Sequence, residues 1–160
     1  MQCQGAAPTA SGARRRHCPP RLRGRGGHPG ACPRPLCRLT GGTAMTVKHW
    51  CDVPAQEVEE GARGTRIRWL LRGEDGATNF AMRHFEIAPG GHTPHHAHPW
   101  EHEVFVLSGH GKVVGPQGER ALGPGSVVLV PADEEHHFAN DGPEAFTMLC
   151  LIPQARTCTG

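Results

Sequence analysis

The feature that most constrains this chain is its punctuation. After residue 65, short apolar stretches alternate with clusters of turn formers, and little helical periodicity shows between them. Gly73-Glu74-Asp75-Gly76, Pro89-Gly90-Gly91, Pro116-Gln117-Gly118, Gly123-Pro124-Gly125 and Asn140-Asp141-Gly142-Pro143 mark the reversals. Glycine supplies positive φ and proline presets the first turn residue, so these clusters end strands for identifiable reasons. The stretches between them, residues 66–71, 80–87, 104–107, 111–114, 119–122, 126–130 and 145–152, read as strands. Short strands at regular spacing, without helical periodicity, predict an all-β barrel or jelly roll.

Composition divides the chain in two. Residues 1–44 hold eight arginines and no acidic residue, whereas all 15 Asp and Glu lie in residues 45–160. The leading segment is Arg, Pro and Gly with few large aliphatics, too little apolar area to offset the entropy of ordering, so it is expected to be disordered. A nucleic-acid tail would want interleaved aromatics and a transit peptide an amphipathic pattern. Neither is present. The reading that fits best is a translated upstream region, with Met45 as the true start of one domain over 45–160. Seven cysteines without a CxxC pair argue against a disulfide framework or zinc ribbon. No apolar run reaches membrane-spanning length. The expectation is a cytoplasmic protein with reduced thiols that engages neither membrane nor nucleic acid.

The chemistry is concentrated in His95-His96-Ala97-His98-Pro99-Trp100-Glu101-His102, which places four histidines and a carboxylate in one short stretch. Neutral imidazole is the commonest protein metal ligand near pH 7. On an extended backbone His96 and His98 point to the same face and His95 to the other. His102 returns after the bend at Pro99, and Glu101 and Glu103 face away from it. A second polar group follows at Asp133-Glu134-Glu135-His136-His137.

Two patterns make this specific. Gly90-x5-His96-x-His98-x3-His102-x6-Gly109 and Gly125-x5-Pro131-x-Asp133-x2-His136-x3-Asn140 resemble, in order, the first and second signatures of the cupin superfamily. The short interval between them resembles that of small single-domain cupins, and the likeness covers about residues 46–153. His102 stands where the first signature usually has Glu, so the chain resembles the small cupins with an all-histidine site. Asp133 stands where glycine is common. The resemblance implies a cupin β-barrel, a homodimer formed by sharing N-terminal strands, and a divalent ion held by His96, His98, His102 and His136, with manganese expected. Imidazole also suits iron, copper, nickel and zinc. His95 and His137 alternate away from the ligand face. His49, His84, His92 and His110 match no ligand position and are expected at the surface or behind the ligands. Glu101 or Glu103 could accept from a ligand's free ring N–H.

Two further residues are candidates for the chemistry. In the strand over 80–87, Ala81, Arg83, Phe85 and Ile87 share one parity. If it faces inward, Arg83 is a buried arginine that needs an acidic partner or an anionic ligand, which makes it a candidate substrate-carboxylate contact. A structural ion pair or a solvent-facing arginine is the plainer reading. In the last strand Met148, Cys150 and Ile152 share a parity and would line the cavity beside the ion. Cys150 would be an oxidation-sensitive neighbour or, more simply, a small buried hydrophobe.

Four imidazoles bring no negative charge, so a divalent ion keeps its full charge and favours anionic ligands. An octahedral ion would retain two open positions, whereas a tetrahedral zinc would be closed. No serine or cysteine nucleophile constellation and no phosphate-cradling Gly-rich loop competes with this reading. The leading expectation is a metal-dependent oxidoreductase of dioxygenase type acting on a small organic substrate. A metal-dependent isomerase or lyase and a non-enzymatic binding or sensor module are the alternatives.

Overall fold

The computed structural model describes residues 45–154; the Arg-rich segment 1–44, with the expectations of disorder and of a start at Met45, lies outside them. Nine strands follow in order: β1 (Gln56–Glu57), β2 (Arg63–Leu71), β3 (Phe80–His92), β4 (His102–Ser108), β5 (Gly111–Gly115), β6 (Gly118–Leu122), β7 (Val127–Val130), β8 (His137–Ala139) and β9 (Phe146–Pro153). Short 3-10 turns at Trp50–Asp52 and Gly73–Asp75 are the helical segments among the described residues. None is long and apolar enough to cross a membrane. All pairings are antiparallel, in the order β6-β5-β8-β3-β9-β4-β7, with β2 also on β3 and β1 on β2. The fold is the all-β, curled antiparallel sheet expected of a cupin.

Strand β3 organises this arrangement. Its first half lies between β2 and β9, and its end at His92 pairs with Ala139 of β8. The turn expected at Pro89-Gly90-Gly91 is instead part of the strand. Gly90 takes φ of 72° and its N–H donates to the Asn140 carbonyl, while the Asn140 N–H donates to the Gly91 carbonyl. The glycines thus bend β3 without ending it.

Inward residues meet in rows across the sheet. Phe85 pairs with Met148 and Met148 with Val106; Arg83 pairs with Cys150 and Cys150 with Val104; Ile87 pairs with Phe146. Ile87, Val104, Val106, Phe146, Met148 and Cys150 are each at most 2% exposed and form the core. Period-two alternation therefore holds in β3, with Ala81, Arg83, Phe85 and Ile87 inward.

Another expectation changes. The run over 104–107 is not buried throughout: Val104 and Val106 face the core, but Phe105 is 45% and Leu107 41% exposed. Val127 and Leu129 on the neighbouring β7 are 78% and 65% exposed, so an apolar outer face runs across two strands. The run is apolar on both parities, and one layer of sheet can bury only one of them. Cys150 is a buried free thiol.

Candidate metal centre

Two loops are stitched together by their backbones. The His96 N–H donates to the His136 carbonyl at 3.2 Å and the His136 N–H to the His96 carbonyl at 3.0 Å. The Asp133 N–H donates to the His98 carbonyl at 2.8 Å. Asp133 itself has φ of 62°, the left-handed region that makes glycine common at this place in the signature. Strand β4 then brings His102 opposite Val130, alongside the same loops.

The result is a convergence of four side chains. One ring nitrogen each from His96, His98, His102 and His136 lies within 4.8 Å of all the others, an arrangement that can hold a metal ion. His98, His102 and His136 are 9%, 6% and 2% exposed. Trp100 stacks flat on His98 at 4.5 Å between ring centres, a contact that sequence spacing did not suggest. His98 in turn stacks on His102, with their Nε2 atoms in direct contact.

The ring nitrogens facing away from the cluster decide whether it fits an ion. A neutral imidazole ligates through one nitrogen only if the other carries the proton. His96 Nδ1–H donates to the Pro94 carbonyl at 2.9 Å and His136 Nδ1–H to the Glu134 carbonyl at 2.8 Å. Each imidazole is thus anchored by the carbonyl two residues before it and turns Nε2 inward. Those outer partners are backbone oxygens, not Glu101 or Glu103. Both glutamates are exposed and border a different cleft, with Phe80, Leu151 and Ile152. Ile152 therefore does not line the cavity by the cluster, whereas Met148 and Cys150 do.

The remaining histidines among the described residues fall outside the convergence. His95 is exposed, with Nδ1 3.6 Å from Glu135, and His137 sits half-buried against the rings of His92 and His95. His84, expected at the surface or behind the ligands, is 5% exposed and stacked beneath Trp50 at 4.9 Å. Its burial comes from the segment before β1, whose packing sequence alone did not indicate.

Arg83 is the most unusual group nearby. It is 9% exposed, and among the described residues no carboxylate pairs with it. Its guanidinium lies 5.1 Å from the Phe85 ring centre and 5.7 Å from that of Trp69, and its Nε has no hydrogen-bond partner. Nη2 donates to Cys150 Sγ at 2.9 Å and lies 3.2 Å from His102 Nδ1. Arg83, Cys150, His96, His102 and His136 share a cavity of about 160 Å3, walled by Val58, Ile67, Phe85, Phe138 and Met148.

Electrostatics favour neutral imidazoles here. Burial, reinforced by the Arg83 cation and the neighbouring histidines, pushes His102 down to about 2. Burial also lowers His98 and, against the Glu134 hydrogen bond, His136. Burial raises the Cys150 thiol, opposed by Arg83. Neutral imidazole is the form a metal requires, so the cluster is held ready for a cation that protons do not occupy.

With this geometry in place, comparison with known proteins is decisive. Residues 83–152 match the cupin domain model, and the chain is 37% identical to the polyketide cyclase RemF of Streptomyces resistomycificus. The chain belongs to the cupin family. The RemF structure superposes with a TM-score of 0.67 over 71% of this chain and 82% of that one. A 1-methylthio-D-xylulose 5-phosphate methylsulfurylase of Rhodospirillum rubrum is 32% identical over 100 residues, 61% of this chain. This cupin spans 64% of that relative's length. A sugar phosphate isomerase of the cupin superfamily from Silicibacter pomeroyi is 26% identical, with a TM-score of 0.52 over 57% of this chain and 60% of that one.

Two outcomes follow from the site. The histidines whose titration is depressed below the ordinary value near 6.5 stay neutral in the fold but take up protons once unfolded. Metal-free stability should therefore be complete above about pH 6.5 and fall below it, by up to about 1.4 kcal/mol per pH unit for each such histidine. Urea midpoints in chelator at pH 7.5, 6 and 5 measure this, and a flat profile would show that the imidazoles protonate freely in the fold. Separately, His98→Ala should lower metal occupancy at limiting metal by about tenfold or more, while His95→Ala leaves it unchanged. Elemental analysis of the two variants decides, and equal loss in both would refute the assignment by face.

Proposed function

We propose that this cupin is a metal-dependent enzyme acting on a small organic anion, with His96, His98, His102 and His136 holding the ion and Arg83 receiving the anionic group. The observation that carries this reading is a buried arginine without a carboxylate partner, in the same small cavity as three of the four convergent imidazoles, His96, His102 and His136. Burying an unpaired guanidinium is costly, and an anionic substrate is the partner that would offset it. Manganese is the ion we propose, on the resemblance to four-histidine cupins; iron, copper, nickel and zinc also suit imidazole. When bound, such an ion supplies Lewis acidity, easing negative charge onto a substrate carbonyl oxygen.

The protein's own residues do the rest. The apolar wall of Val58, Ile67, Phe85, Phe138 and Met148 excludes water and strengthens the charge interactions inside. Arg83 orients the substrate by its charged end. Beyond imidazoles and a thiol raised by burial, no side chain lining the cavity exchanges protons near neutral pH. That lining suits a reaction whose proton moves within the substrate or to water. Two of the relatives are named a cyclase and an isomerase, names that do not denote oxidation. We therefore place isomerase- or cyclase-type chemistry ahead of the dioxygenase reading.

The experiment is turnover of enolisable carboxylate and phosphate compounds by the manganese-loaded protein, with and without oxygen. Activity should persist without oxygen, and Arg83→Met should reduce kcat/KM by about tenfold to a hundredfold. Activity that is lost when oxygen is removed would instead establish the dioxygenase, and stabilisation by a ligand without turnover would establish a binding module.

We also propose a homodimer, supported by the outer face of Phe105, Leu107, Val127 and Leu129, which a second copy would cover. Val127→Asp with Leu129→Asp should yield a monomer by light scattering. A wild-type monomer at micromolar concentration would reject the proposal.

A further inference from the structure

His102 differs from the other imidazoles in what stands behind it. The outward nitrogens of His96 and His136 each face a backbone carbonyl, which can only accept. His102 Nδ1 faces two side chains, Cys150 Sγ at 3.0 Å and Arg83 Nη2 at 3.2 Å. Arginine can only donate. If Arg83 were the sole neighbour, Nδ1 would be driven to accept, the ring proton would sit on Nε2, and that nitrogen could not ligate. The sulfur is the one group here that can accept from Nδ1–H. Arg83 also donates to this sulfur, at 2.9 Å, so the cation has somewhere to direct its proton other than the imidazole.

We propose that Cys150 is a positioning residue: its sulfur accepts from His102 Nδ1–H, diverts Arg83, and so keeps the His102 Nε2 lone pair turned towards the other three histidines. This rests on the reading of His102 as a ligand, and it assigns the cysteine a role distinct from nucleophile and from filler. Strand register makes the triangle possible. Arg83 is directly opposite Cys150 on neighbouring strands, and Cys150 is opposite Val104, two residues beyond His102 on β4. Cys150 is 2% exposed, so water has little access to replace the sulfur as acceptor.

The test is manganese and zinc affinity, by competition with a chelator, for wild type and for Cys150→Ala, Cys150→Ser, Arg83→Met, the Cys150→Ala/Arg83→Met double variant and His102→Ala. Nitrogen-15 NMR of the histidine rings in the metal-free proteins reports the His102 tautomer. Cys150→Ala should weaken binding about tenfold to a hundredfold and move the His102 proton to Nε2, whereas Cys150→Ser, which keeps an acceptor, should bind nearly as wild type. Removing Arg83 as well should recover most of the affinity lost in Cys150→Ala, because the competing donor is gone. A cysteine that merely fills space would lower the melting temperature in Cys150→Ala without moving the tautomer, and the double variant would be no better. Either result overturns the proposal. Wild-type affinity in His102→Ala would remove His102 as a ligand and the proposal with it. Loss there with full affinity in Cys150→Ala would leave the ligand in place and reject the cysteine's role.

Discussion

The site depends on a short backbone ladder, the reciprocal pair of hydrogen bonds between His96 and His136. These two residues lie on loops that no side-chain preference would bring together. The ladder closes one loop onto the other, and each histidine then anchors its own Nδ1 on the carbonyl two residues earlier. Main-chain geometry thus fixes both position and tautomer for these two imidazoles. The loops are placed by strands β3, β4 and β8, so the cluster inherits the rigidity of the sheet.

The centre is costly to bury. It holds four imidazoles and a guanidinium with no carboxylate among the cavity residues. Hydrogen bonds offset part of that cost, but Arg83 Nε and His98 Nδ1 have none. Stability must come from elsewhere, and the apolar rows of Ile87 with Phe146 and of Phe85, Met148 and Val106 supply it. Folding free energy and binding chemistry are therefore neighbours on the same strands, divided by position along β3 and β9. The polar end is where a cation and an anionic substrate would together relieve the imbalance.

Much of this was legible in the sequence because it follows from alternation. Period two placed Arg83 inward with Phe85 and Ile87, and set His95 on the opposite face from His96. Turn residues located most strand ends, with Gly115 and Gly118 closing the β5–β6 hairpin. Alternation failed where a second layer of structure decides. The run over 104–107 is apolar on both parities, and nothing in it says that one face is left uncovered. The outer partners of the histidines were sought among Glu101 and Glu103, but backbone carbonyls carry no residue signature, so no sequence pattern could have indicated Pro94 and Glu134. His84 gained its ring contact from Trp50, on a segment whose approach is tertiary, while Trp100 stacks on His98 within one loop.

Charge ties these observations to chemistry. In a three-histidine, one-glutamate site a ligand carboxylate would neutralise part of a divalent ion's charge and could also have paired with Arg83. With His102 in that place the ion would keep its charge and the arginine its vacancy, so two uncompensated positive centres would share one apolar cavity. Such a cavity would disfavour cationic ligands and favour anions. The same substitution creates a difficulty that glutamate would not have: an imidazole beside a cation must be kept in one of its two neutral forms. A sulfur within reach of both His102 Nδ1 and Arg83 Nη2 is a compact way to meet that requirement. A carboxylate in its stead would pair with Arg83 and cancel the charge that would draw an anionic substrate.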